Sequence, residues 1–286
     1  MSENQPFAPH NPLTKHFRQP SVYLKLPSHG SFWPEGSIDL PMNGEVGILP
    51  MSTKDEITLR TPDALLNGQG VVSVVESCCP SVKNAWLMPS IDVDAIVIAI
   101  RIASYGNEME FGTTCPNCSE SNDYVIDLGN ILGNISAPNF NKKVEVNNLK
   151  IKLKPQTYAN LNKASTIQFE EQQLLRTVRD LGENPEESKA LFDQQLAKLI
   201  DLNVLLLASS TEYIELEDST IVQDQSFIEE FYKNCDTQVT KIVRTELDKI
   251  SVDGGLTPIE VSCPSCQHQF PVTIEFDYSS FFAKGS

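Results

Sequence analysis

The chain has 286 residues, of which 40% are hydrophobic and 21% charged, enough for one large core or two smaller ones. A formal net charge of −16 opposes a surface built to neutralise phosphates, so nucleic acid is not an expected partner. No run of about 18 apolar residues occurs, and the polar opening lacks a basic start followed by an apolar core, so neither a membrane span nor a secretory signal is expected.

Residues 1–20 carry Pro6, Pro9, Pro12 and Pro20 with few large apolar groups, which predicts a flexible arm, disordered or ordered on a partner. Residues 21–110 read as an N-terminal α+β region. Val22, Leu24 and Leu26 alternate with Tyr23 and Lys25 as a short strand, and Glu45 to Leu49 suggest a second. Between them, Pro and Gly make 26–36 a structured loop. Its Phe32 and Trp33 are costly to leave in water, so they pack on the core or bind a partner. Thr53 with Glu56 offers a capping box, and Thr61-Pro62-Asp63 a second helix start that Asn67-Gly68 ends. The run Val71 to Val75 fits helix or strand, and the adjacent Cys78 and Cys79 read as small core residues. Asp92 can cap a helix carrying Val93, Ile96, Ala99, Ile100 and Ala103 and ending near Tyr105-Gly106, with strand as the alternative.

Residues 111–154 form the next block. Gly129-Asn130 and Gly133-Asn134 mark turns, and Val144 to Leu153 one or two strands. Residues 155–252 read as a helical insert. Ile167, Leu174, Val178 and Leu181 share one helical face, and Gly182 stops it. Asn184-Pro185 then opens a helix with the stripe Phe192, Leu196, Leu199, Leu202 and Leu206. A mixed segment to Ile221-Val222, a short helix with Phe227 and Phe231, and a helix capped at Asp236-Thr237 with Val239, Val243, Leu247 and Ile250 complete the insert. From Leu199 to Tyr232 there is no Lys or Arg but many acids, either a solvated face or a patch for a basic partner.

Two cysteine pairs flank this insert: Cys115-Pro116-Asn117-Cys118, and Cys263-Pro264-Ser265-Cys266 in the last block, 253–286. Each lies between β-prone stretches, so each reads as strand, CPxC turn, strand. A pair of cysteines on a tight turn aims both sulfurs at one spot, which is half of a tetrahedral zinc site, and two halves make a closed site. The expected fold is α+β, with a zinc-ribbon-like module formed by two distant CPxC hairpins and a structural Zn on Cys115, Cys118, Cys263 and Cys266. The interval between the pairs far exceeds usual ribbon spacing, but loop-closure entropy grows only logarithmically. The alternatives are a disulfide or a redox dithiol, although a redox CxxC sits between strand and helix. Seven cysteines, an odd number without a signal peptide, fit a reducing cytosol. His268 could replace one ligand, or be an exposed turn residue.

Enzyme chemistry finds no support: GxSxG, GxxxxGK[ST], HExxH and a GxGxxG after a strand are all absent. Three long stretches carry a resemblance instead. Leu26-Pro27-Ser28-His29-Gly30-Ser31-Phe32-Trp33-Pro34-Glu35-Gly36, Leu49-Pro50-Met51-Ser52-Thr53-Lys54-Asp55-Glu56 and Arg60-Thr61-Pro62-Asp63-Ala64-Leu65-Leu66-Asn67-Gly68 resemble the baseplate (hub) proteins of T-even-like, contractile-tailed bacteriophages. The likeness is clearest over about residues 20–128, including Ile100 to Gly106. It implies a non-enzymatic part in building the tail baseplate, other phage tail and baseplate proteins as partners, and synthesis in the host cytoplasm. Two jobs follow from it: a hub subunit that stays in the virion, or an assembly factor that leaves. A cytosolic zinc-ribbon adaptor is the reading outside that family.

Overall fold

The computed structural model describes residues 11–61, 68–167, 169, 198, 200–253, 256, 258–272 and 281. Strands β1 (Val22–Lys25) and β2 (Glu45–Ile48) pair antiparallel, Val22 opposite Ile48 and Lys25 opposite Glu45. Their alternation buries Leu24, Val46 and Ile48. Helix α1 (Thr53–Leu59) opens on a reciprocal cap in which Ser52 Oγ accepts from Asp55 N–H and the Asp55 carboxylate accepts from Ser52 N–H. The box expected from Thr53 and Glu56 therefore sits one residue earlier. Asp55 also pairs with Arg18 at 2.9 Å, which ties the helix start to residues before β1. The helix start expected at Thr61-Pro62-Asp63 runs into residues 62–67, outside those described.

The ambiguous valine run is helix α2 (Gln69–Cys78), with Val71, Val72, Val74 and Val75 buried. Gly68 before it has φ +73° and lies against the Asn162 side chain, so a Cβ there would be both strained and crowded. Cys78 and Cys79 are fully buried. Helix α3 (Ser90–Tyr105) is buried almost all round, from Val93 through Ala95–Ile100 to Arg101. Burial on every side overrides the strand preference of its β-branched residues. Gly106, at φ +90°, ends it. Asp92 is not its cap: Pro89 holds that position and Asp92 points into the core. These elements enclose the first and larger core.

Strands β3 (Glu108–Thr114) and β4 (Ser121–Asp127) form the first cysteine hairpin. The glycine pairs after it are not turns. Asp127 accepts from Gly129 and Asn130 N–H and so starts helix α4 (Leu128–Asn134), against helix propensity, with Leu128 buried. Strands β5 (Lys143–Val146) and β6 (Leu149–Leu153) follow as expected, but they do not belong with the hairpin. They join β7 (Thr211–Glu215) and β8 (Ile221–Val222) in one antiparallel sheet of order β5-β6-β7-β8. The grouping of 111–154 as one block apart from the helical insert 155–252 is corrected here, and the mixed segment up to Ile221-Val222 supplies the two partner strands. Val144, Val146, Ile151 and Leu153 need an apolar partner, and they find it in Ile214 and the insert helices.

Those helices are α5 (158–167), α6 (200–209), α7 (Gln225–Asn234) and α8 (Thr237–Asp253). Asp236 Oδ1 accepts from Gln238 N–H at the start of α8, and Val239 and Val243 are buried as read. In α7 the inward residues are Ile228 and Tyr232, whereas Phe227 is exposed. Leu202 is buried in α6, and the earlier part of that predicted stripe lies outside the described residues. The second core is joined to the first where Pro89 bridges Thr157 and Ser90 N–H donates to Gln156 O at 2.7 Å.

Strands β9 (Ile259–Ser262) and β10 (Gln269–Val272) make the second cysteine hairpin, with Ser262 opposite Gln269. A third, small cluster forms where the two hairpins meet. Phe111 and Ile259 pack against both this cluster and the first core, so the hairpins are rooted in the larger body.

Candidate metal centre

The two hairpin tips have one backbone design. In the first, Cys115 N–H donates to Glu120 O at 2.9 Å and Ser119 N–H to Cys115 O at 2.9 Å. In the second, Cys263 N–H donates to His268 O at 2.9 Å and Gln267 N–H to Cys263 O at 2.8 Å. Pro116 and Pro264 preset φ just after the first cysteine of each pair, and Ser119 and Gln267, at φ +61° and +58°, turn the chain into the returning strand. The CPxC sequence therefore dictates its own local geometry, and both sulfurs of each pair emerge on one side.

The four predicted ligands come together. The sulfurs of Cys115, Cys118, Cys263 and Cys266 all lie within 4.8 Å of one another. Across the hairpins, Cys115 Sγ is 3.7 Å from Cys266 Sγ and Cys118 Sγ is 3.6 Å from Cys263 Sγ. A tetrahedron with metal–sulfur bonds of about 2.3 Å has edges of about 3.8 Å, so these separations suit a shared ion. A disulfide needs about 2.05 Å. Cys115 and Cys263 are buried, Cys266 is half-buried and Cys118 faces solvent. Four sulfurs from two turns can hold a metal ion and leave it no open position for substrate.

The electrostatics are uneven. The Asn117 side-chain amide and then the His268 N–H pull the Cys266 thiol down to about 6. The Cys266 and Ser265 backbone N–H groups lower Cys263. The Glu120 N–H acts downward on Cys118, but the neighbouring sulfurs, Cys266 foremost, outweigh it and push this thiol up to about 12. Proton affinity is thus high at Cys118 and low at Cys266, a pattern that a cation shared by all four sulfurs would replace.

His268 is not drawn into the sulfur cluster; it is exposed and its ring stacks on Phe270 at 6.1 Å. The other predicted site residues lie elsewhere and part company. Trp33 is half-buried and packs on the first core, and its indole N–H donates to Asp92 at 2.7 Å. Phe32 has φ +68° and remains 40% exposed, its ring edge-on to Phe140 at 5.7 Å. Sequence reasoning missed the acceptor that shapes this loop. Buried Asp92 takes bonds from Ser28 N–H, Ser28 hydroxyl and Trp33, and burial raises its pKa against the lowering effect of those donors. It also missed Arg18, which lies within the predicted arm and donates to Pro50 O, Asp55 and Ser77. Asn117 and Asn122, whose amides lie beside the sulfurs, are a further pair that sequence reasoning does not single out. The signal available was that neither has an amide counterpart in the second hairpin.

Hairpins of this design, meeting through four sulfurs on an α+β body, define a protein with a zinc-ribbon-like module. The chain belongs to the family described as T4 bacteriophage base plate protein, whose model matches residues 34–283. No curated protein and no solved structure matches it. The family makes this a phage baseplate structural protein, with the virion tail as its place and phage tail proteins as its neighbours. Among the described residues, no helix is long and apolar enough to cross a membrane.

Proposed function

We propose that the chain is a non-enzymatic structural subunit of the baseplate hub that stays in the contractile tail of the mature virion. The match over most of the chain carries this reading. A structural zinc on Cys115, Cys118, Cys263 and Cys266 acts in it as a staple: ligand residues 145 positions apart are joined without relying on a large local core. Phe32 is the contact offered to a neighbouring subunit, because it is exposed on a loop whose backbone is held by Asp92. Residues 1–20 serve as an arm that engages the same surroundings, with Arg18 as its anchor.

A second reading is an assembly factor that leaves before the virion is complete. It draws support from the exposed acids Glu212, Glu217, Asp218, Asp224 and Glu230, which suit temporary attraction to a basic partner. Quantitative mass spectrometry of purified particles separates the two. A fixed ratio to a known baseplate subunit is the expected result. Absence from particles, with presence in infected-cell extracts, would replace the hub subunit by the assembly factor.

A further inference from the structure

The two hairpins share a backbone but not their side chains, and the difference is concentrated beside the sulfurs. Asn117 Nδ2 lies 3.6 Å from Cys266 Sγ, and Asn122 Nδ2 lies 3.7 Å from Cys263 Sγ. Both amides belong to the first hairpin and both sulfurs to the second. The equivalent positions of the second hairpin, two and seven residues after its first cysteine, are Ser265 and Phe270. Neither returns an amide to the first.

A dication held by four thiolates leaves an excess of two negative charges on the sulfurs. Donors aimed at those sulfurs stabilise that charge and orient the ligands. We infer that Asn117 and Asn122 are positioning residues of the metal centre, which hold the sulfurs of the second hairpin and set how tightly a divalent ion is retained. The inference rests on the metal reading proposed above. The first hairpin is the receiving half: it brings two ligands and two amides, while the second brings two ligands alone. The pair also explains why a site joined across such a long interval closes in one register, since each amide identifies a different cysteine of the incoming turn.

The test uses the full chain loaded with zinc, and with cobalt as the spectroscopic stand-in. A chromophoric chelator competes for zinc in the wild type, in the double variant Asn117→Ala with Asn122→Ala, and in Asn117→Asp. The double variant should release zinc about 10- to 100-fold more readily. Asn117→Asp should release it more readily than Asn117→Ala, because a carboxylate replaces the donor with a like charge. In the cobalt form, loss of the N–H···S bonds should move the thiolate-to-cobalt charge-transfer bands to longer wavelength. The melting temperature of the metal-free variants should equal that of the metal-free wild type. Unchanged release and unchanged bands would overturn the inference while leaving the metal site intact. An equal loss of stability with and without metal would overturn it too, by making the amides ordinary packing groups. Failure of the wild type to take up one metal ion per chain would instead bring down the metal reading itself.

Discussion

The larger core and the cysteine module differ in how much they bury, and on the proposed metal reading they are held by different means. Around α3 the chain buries Leu26, Val46, Ile48, Met88, Ala95, Ile96, Ile98 and Ile100 completely, drawing on strands, helices and the 26–36 loop. Among the described residues, the module buries Cys115, Val261, Cys263 and Phe270 in its centre, with Phe111, Tyr124, Ile259, Cys266 and Val272 partly buried around them. Full burial of a Val or Phe side chain contributes about 1.5–3 kcal/mol. Fixing the backbone costs about 1–2 kcal/mol for each residue ordered. These few apolar side chains, most of them only partly buried, contribute far less than the first core, where burial is extensive. Stability by burial needs many residues converging from the whole fold. Stability by coordination needs four, placed by two tight turns.

On the proposed metal reading, removing the ion should break the comparison most sharply. Chelation, or Cys263→Ser with Cys266→Ser, should take away a contribution on the order of 10 kcal/mol from the module. Hydrogen exchange should then speed up in β9, β10 and the tips of β3 and β4, while amides of α3 stay protected. If β9 and β10 keep their protection in the metal-free chain, burial suffices for the module and the contrast fails.

The larger core should yield to a polar change next. Asp92→Ala leaves Ser28 N–H, the Ser28 hydroxyl and the Trp33 indole without their acceptor, and should cost about 3 kcal/mol in denaturant unfolding. A smaller effect is expected at its edge. Arg18→Ala removes donors to Pro50 O, Asp55 and Ser77 and should cost about 2 kcal/mol. The pH dependence follows from the directions of the two carboxylates. For Asp55, desolvation raises the pKa, but bonds from Ser52 and Ser77 and the Arg18 charge prevail and lower it below 3.8. Its contribution is thus complete above pH 3.8 and lost as pH falls through the lowered folded value. Asp92 has the opposite sign: its pKa lies above 3.8, so ionisation costs folded stability as pH rises from 3.8 through the folded value. Stability curves of Asp55→Asn and Asp92→Asn against pH should therefore depart from wild type in opposite senses.

The smallest change is expected at Phe32. With 40% of its surface exposed, Phe32→Ala should shift stability by less than about 1 kcal/mol, yet reduce incorporation of the chain into tails. A large loss of stability would make the Phe140 contact structural and remove Phe32 as the partner-facing residue. Trp33 does not suit that test, because its indole is committed to Asp92.

The elements that sequence reading placed well are those whose signal is local. The CPxC turns carry their own geometry in Pro116 and Pro264, and the helix around Val239 and Val243 shows its face in spacing alone. The errors share a cause. Local sequence makes Asp92 a helix cap, but its partners Ser28 and Trp33 lie 64 and 59 positions away. Gly129-Asn130 predicts a turn because glycine favours one, but Asp127 and the buried Leu128 start a helix there. Strand β7 lies in the segment that the sequence leaves mixed, because its reason to be a strand is β6.

By itself the sequence determined the two knuckles, the type of most helices and strands between them, and the sulfur chemistry on offer, since each depends on residues within one turn or one element. Tertiary structure decided which knuckle meets which, that Asn117 and Asn122 face the opposite hairpin's cysteines, and that Asp92 holds Trp33 inward while Phe32 faces out. The physical reason is range. A turn is selected by the torsions of its own residues, whereas a pairing is selected by burial and hydrogen bonds that exist only after distant parts of the chain have met.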